Sequence, residues 1–296
     1  MSKCVQSQSV SFSLVKLGLM NGAKGEKVTL AMFRAHIDDS GTSKNEKVAV
    51  ASCVLIPAHR LERFHSEWEI FLNQEGITYL HATSCVGHSQ DSEFKDWDDE
   101  RSKRVMRRAR KLTFDHSIKG ISCFISKADY DECLTPELRE AVGQHHYSWA
   151  VSSLLGLCYD WSVEHAQVPI EYVFDTADKP VRMEIEDALE YSEFLYPGAF
   201  AGRHAFREKT EYLGLQAADS LAWTSYQGMR NKLYGDVIKE VAVEAWQDYQ
   251  SAQERLWFRG NIQPREELEK WVANAKDHPS TQRAIEWKRA NRRSQR

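Results

Sequence analysis

The stretch FRAHIDDSG, residues 33–41, decides how this chain folds. Ala31, Phe33, Ala35 and Ile37 recur at every second position across residues 28–38, the period of a β-strand. The run stops on Asp38-Asp39-Ser40-Gly41, where short polar side chains and a glycine favour a turn. Residues 39–47 are polar, and Val48 to Ile56 is a nearly continuous apolar run, as expected of a strand buried on both faces. The two segments therefore read as a hairpin, stopped by Pro57.

Beyond the hairpin, Leu61, Phe64, Trp68, Phe71 and Leu72 have helical spacing, and Gly76 supplies the stop. Ile77–Leu80 reads as a short strand leading to His81, followed by a polar loop and a helix over roughly 98–114. Gly120–Ser126 is a third core strand, and one long apolar helix is expected from about Pro136 to His165. Pro169–Asp175 is a strand that ends on an acid. An amphipathic helix at 180–195, a strand near 199–207 and a helix at 212–230 complete the core. The helix is apolar nearly all round, the pattern of a buried helix. Residues 236–258, 264–275 and 279–293 read as charged helices. The order predicts an α/β fold, a mixed sheet with helices on its faces. Residues 1–27 form a loose lead-in, 28–232 the α/β domain, and 233–296 a C-terminal helical extension with a basic tail.

The 296 residues are 42% hydrophobic and 28% charged, the balance of an ordinary globular protein. No apolar run approaches a membrane span, and Lys16 interrupts the apolar patch Phe12–Met20, so a cytoplasmic protein without a secretory signal is expected. Cys4, Cys53, Cys85, Cys123, Cys133 and Cys158 form no CxxC pair and read as reduced packing thiols. A net charge of −4 argues against a non-specific nucleic-acid coat, but the basic side chains are unevenly placed. RSKRVMRRARK at 101–111 and the tail at 283–296 are basic. Arg104, Arg107 and Arg108, on one helical face by their spacing, and Arg289, Arg292 and Arg293 are candidates for holding a phosphate backbone. The plainer alternative is a helix whose acidic first turn and basic later turns complement its dipole, plus a solvated tail.

The chemistry concentrates in the acids. Asp38 and Asp175 end strands, and Asp219 interrupts the buried helix in LGLQAADSLAW, residues 213–223. Side-by-side parallel strands would bring the first two within about 5 Å, and a helix packed over them could add the third. Each pair of carboxylates at 4 Å repels by about 4 kcal/mol at an effective dielectric near 20, so such a cluster makes sense only with divalent cations. Oxygen-only ligands select Mg²⁺ or Mn²⁺ over zinc. Asp39 stands beside Asp38, and Gln216 one turn before Asp219 either orients water or substrate or bonds a loop carbonyl. Each acid also has a plain role: Asp38 and Asp39 in a turn, Asp175 as a helix cap. HATSCVGH offers His81, Cys85 and His88 for zinc, at a spacing that matches no common zinc module. GxxxxGK[ST], GxGxxG and GxSxG are all missing, which removes the main sequence support for triphosphate hydrolysis, dinucleotide binding and an α/β-hydrolase elbow.

HIDDSG (36–41), YVFD (172–175) and LQAAD (215–219), with LHAT (80–83), together resemble the bacterial, archaeal and phage family called domain of unknown function 3800. The resemblance spans about residues 28–230 and implies a ribonuclease H-like fold with a metal-dependent nuclease-like site. On it, Asp38, Asp175 and Asp219 are metal ligands for Mg²⁺ or Mn²⁺, and His81 lies near them. Family members often carry Glu where this chain has Asp39, one methylene shorter. Asp39 then assists or binds a second ion, while His81 and Gln216 position water or substrate. The expected activity is phosphodiester hydrolysis on DNA or RNA. The alternative is a non-catalytic binding or interaction protein of a mobile-element or phage-defence system, whose acids satisfy each other.

Overall fold

Strand β1 (Phe33–Ser40) turns back through Gly41 into β2 (Val48–Pro57), and the two pair antiparallel. Gly41 has φ 71°, and a Cβ there would lie 2.1 Å from the Val48 carbonyl oxygen, so the turn requires glycine. The computed structural model describes residues 32–165, 169–195, 204–254, 258–262, 264–275 and 278–294. The lead-in 1–27 and the first residues of the expected strand at 28–31 lie outside them.

β3 (Lys119–Ser126) joins β2 antiparallel, β4 (Ile170–Asp175) joins β1 parallel, and β5 (His204–Arg207) joins β4 parallel. β6 (Phe258–Ile262) adds parallel to β3, giving the sheet order β5-β4-β1-β2-β3-β6, in which β2 alone runs against the rest. Helices α1 (Leu61–Glu75), α2 (Ala82–Gly87), α3 (Asp99–His116), α8 (Leu213–Tyr234) and α9 (Glu240–Glu254) cover one face. Helices α4 (Lys127–Cys133), α6 (His146–Glu164), α7 (Lys179–Leu195) and α10 (Arg265–Ala275) contribute to the other core. α5 (Pro136–Val142) and α11 (Pro279–Ser294) complete the described helices. This is the α/β layout expected from the sequence: a mixed sheet flanked by helices.

Three elements differ from the sequence reading. Residues 77–80 are not a strand, because their backbone donors go to side chains: Thr78 N–H to the Glu93 carboxylate and Leu80 N–H to Gln216 Oε1. The long helix expected over 136–165 is two helices, α5 and α6, broken at Gly143 with φ 125°. The C-terminal segment is not a purely helical extension, since β6 lies within it as an edge strand of the main sheet. Its Phe258 packs against Trp246 and Tyr249 of α9, which ties the segment to the domain core.

Candidate carboxylate site

Strand alternation aims the two strand-borne acids. Ala35 and Ile37 of β1, with Tyr172 and Phe174 of β4, face the core beneath α6, so His36, Asp38, Val173 and Asp175 face α8. Parallel pairing of Ile37 with Phe174 places Asp38 and Asp175 side by side at the carboxyl ends of their strands. α8 approaches this face closely because Gly214 carries no side chain; a Cβ there would lie 2.3 Å from the His36 ring. Asp219 then sits, nearly fully buried, over the two strand ends. The three predicted acids therefore converge.

They converge on Lys209. Its Nζ lies 2.7 Å from Asp38 Oδ2, 3.0 Å from Asp175 Oδ2 and 3.1 Å from Asp219 Oδ1. An ammonium has three N–H donors; here two of them go to Asp38 and Asp219, and Asp175 completes the charge contacts as an ion pair. The second oxygen of every acid is held by the backbone: Asp38 Oδ1 accepts from Asp39 N–H at 2.8 Å, Asp175 Oδ1 from Lys209 N–H at 3.2 Å, and Asp219 Oδ2 from Ala82 N–H at 2.7 Å. Each carboxylate is thus oriented by one backbone donor and offers its free oxygen to a common point.

The charges are unequal there. Burial works against the Lys209 charge, but the Asp219, Asp38 and Asp175 carboxylates outweigh it and hold the amine well above its ordinary pKa. Asp38 is also raised well above the usual carboxylate range, first by burial and then by the repulsion of Asp219, Asp39 and Asp175, which Lys209 only partly offsets. The two shifts agree physically: one ammonium cannot balance three acids, and Asp38 is the most deeply buried of them.

The other predicted residues divide. Gln216 is buried and fully used: Oε1 accepts from Trp68 Nε1 at 2.9 Å and Leu80 N–H at 3.0 Å, and Nε2 donates to the Lys209 carbonyl at 2.9 Å. Of the two roles expected for it, the structure shows the bond to a loop carbonyl. His81 is the residue before α2; its Nε2 lies 3.8 Å from Asp219 Oδ1, its Nδ1 bonds Ser84, and its side chain is part-exposed. Asp39 is not among the carboxylates paired with Lys209 and accepts from Thr42 Oγ1 at 2.7 Å. Alternation puts it on the α6 side of the sheet, where its charge, with those of Asp38 and Asp175, adds to the effect of burial in pushing up the Tyr147 phenol. His81, Cys85 and His88 do not gather for zinc: His81 bonds Ser84, and both the His88 ring and the Cys85 carbonyl go to Ser102. Cys53, Cys85, Cys123, Cys133 and Cys158 are free thiols.

The basic helix α3 is an ion-pair seam. Arg104 and Arg108 both reach Glu75 of α1, whereas Arg107 bonds Glu244 of α9 through two N–H groups at 2.7 and 2.6 Å. The three arginines therefore do not act from one face. Arg108 lies one turn from Arg104, while Arg107 is displaced about 100° from Arg108 and falls toward the neighbouring helix on the other flank. In α11, Arg289 pairs with Glu140; the side chains of Arg292 and Arg293 lie outside the described residues.

Lys209 was missed by the sequence reading. Lys209 lies in a polar stretch, EKTEY, whose local pattern resembles any solvated turn. The signal for it is indirect: three acids with core-like surroundings demand a cation.

The donor set suits a hard divalent ion, having three carboxylate oxygens already directed at one cation position. Among the described residues, no three His, Cys, Asp or Glu side chains stand close enough to hold a metal as placed. Around an ammonium the oxygens sit 2.7–3.1 Å out, and Mg²⁺ requires about 2.0–2.1 Å. The residues fit the ion once Lys209 gives way and the acids close by about 0.6–1.1 Å.

No protein-family model matches the sequence, and no curated protein is similar to it. Among solved structures, a chain of the PCNA–RNase HII complex from Archaeoglobus fulgidus aligns at 13% identity and a TM-score of 0.35, over 85% of this chain and 93% of that one. Ribonuclease H2 from Pyrococcus horikoshii OT3 aligns at 13% identity and a TM-score of 0.35, over 87% and 99%. No residue role is carried over from either. Among the described residues no helix is long and apolar enough to cross a membrane.

Proposed function

We propose that this protein is a metal-dependent nuclease of the domain of unknown function 3800 family, with Asp38, Asp175 and Asp219 holding Mg²⁺ or Mn²⁺. The observation that carries the reading is the convergence of three carboxylates, each fixed by a backbone N–H and each presenting one oxygen to a single cation position. Solubility does not require such an arrangement, and a buried acid cluster without a task is costly. A divalent ion held there supplies positive charge to a phosphoryl group and to the oxygens exchanged at phosphorus. Asp38, Asp175 and Asp219 bind, Gln216 fixes the loop that frames them, and His81, part-exposed beside Asp219, is placed to exchange a proton with water or substrate. Ligands of open α/β sheets gather at the carboxyl ends of strands, where these acids lie.

The purified protein is expected to cleave single- or double-stranded DNA or RNA with Mg²⁺ or Mn²⁺ and to stop with chelator. Asp219→Asn is expected to lower turnover by at least about two orders of magnitude, since it removes one of three charged ligands. Cleavage by the variant at the wild-type rate would remove this site from the reaction.

A second reading is favoured by Lys209 itself, whose ammonium satisfies all three acids within the chain. On that reading the protein is a non-catalytic binding or interaction protein and the cluster is a structural ion pair. Divalent ions would then leave the melting temperature unchanged, because only a ligand of the folded state raises it.

A further inference from the structure

We propose that Lys209 is a built-in competitor for the metal, a tethered cation that must leave the carboxylate point before a divalent ion can occupy it. This rests on the metal-site reading above. The ammonium lies within 3.1 Å of one oxygen of each of the three carboxylates, hydrogen-bonded to Asp38 and Asp219 and ion-paired with Asp175, so a metal bound to the same oxygens would coincide with Nζ. Metal–oxygen distances are also shorter than the observed ammonium–oxygen distances, so the two cations cannot share the pocket in this arrangement.

The structure separates what is fixed from what can move. The backbone of Lys209 is pinned on both sides, its N–H to Asp175 Oδ1 and its carbonyl to Gln216 Nε2. Gln216 is in turn fixed by Trp68 and Leu80. The acids themselves are held by backbone donors from three different segments. Only the four-carbon stem of Lys209 is free of such bonds, and the side chain keeps 19% of its surface exposed, which leaves a path to solvent. Exchange of ammonium for metal is therefore a movement of side chains, the Lys209 stem swinging out and the three carboxylates closing inward, and needs no opening of the domain. In the metal-free protein the lysine keeps the acids together, and the pocket is formed before the ion arrives.

Two measurements test this without reading nuclease activity. In the wild-type protein, reductive methylation followed by peptide mass mapping is expected to modify Lys209 several-fold faster in saturating Mg²⁺ than in chelator, with exposed Lys47 unchanged as an internal control. Calorimetric titration of Lys209→Met with Mn²⁺ is expected to show at least tenfold tighter binding than the wild type. If Mn²⁺ binds the wild type but Lys209 is methylated no faster with Mg²⁺, the competition is overturned and the metal site stands. Equal or weaker Mn²⁺ binding by a folded Lys209→Met has the same consequence. Absence of Mn²⁺ binding to either protein would overturn both the competition and the metal-site reading. Should Lys209→Met fail to fold, the wild-type methylation decides.

Discussion

The acid cluster at the strand ends and the basic helix α3 are two concentrations of like charge, and the fold resolves them in opposite ways. On α3 the cations meet acids from two other helices: Glu75 serves Arg104 and Arg108, and Glu244 serves Arg107 and Arg110. Burial works against the charge of Glu75, yet the two arginines overcome it and hold the carboxyl below its usual range. Glu244 is lowered too, by Arg107 first. At the strand ends one ammonium faces three buried acids, and Asp38 is driven upward instead. Like charge balanced nearby is structural; like charge left under-balanced in a buried pocket is the kind of site that can take another cation. The difference directs attention away from the more conspicuous feature of the sequence, the run of arginines, and toward the less conspicuous one.

The comparison breaks most visibly at Lys209. Without metal, Lys209→Met should lose about 3–5 kcal/mol of stability, as when one partner of a buried ion cluster is deleted. Adding Asp38→Asn to it should return part of that loss, because the most buried of the repelling charges is gone. Urea unfolding in chelator reads both variants, and a negligible loss in Lys209→Met would mean that the acids do not need the ammonium.

A somewhat smaller effect is expected from His36, which lies on the same face of β1 beneath the cluster. Burial, with Arg34 and His65 adding, lowers its pKa to about 3. The folded state therefore binds this proton less readily than the unfolded state, whose value is near 6.5. Stability is full above pH 6.5 and falls as pH drops through the window down to about 3, by at most about 1.4 kcal/mol per pH unit. His36→Asn should flatten that part of the stability–pH curve measured by denaturant titration. An unchanged slope would assign acid unfolding to the carboxylates alone.

The smallest effect belongs to α3. Changing Arg104, Arg107 and Arg108 together to Ala removes part-exposed ion pairs and should cost about 1–2 kcal/mol in total. Because each arginine already has an acid, the log–log salt slope for nucleic-acid binding should move by less than about one unit. A flattening by two to three units in filter binding would restore α3 as a phosphate-tracking surface and erase the contrast drawn above.

Local sequence alone determined a good deal of this protein. Period-two alternation is a property of the extended chain and marked β1, a continuous apolar run marked β2, and the acids that end the β1 and β4 segments could be read directly. An aspartate inside the helix LGLQAADSLAW is disfavoured locally and unsolvated when the helix is buried, which marked Asp219 and required a partner for it. The identity of the partner could not be read, since Lys209 is an ordinary residue of a polar turn until the fold brings 38, 175 and 219 around it. Residues 77–80 have the composition of a strand but surrender their backbone donors to Glu93 and Gln216, contacts spanning 15 and 136 positions. The same holds for Arg104, Arg107 and Arg108: helical spacing placed them near one another, but the positions of α1 and α9 on either flank decided where each one points. Sequence fixes what a side chain is and which face it occupies within its own element. Which opposite charge it meets depends on contacts between distant segments, and those are set only when the sheet and its covering helices pack together.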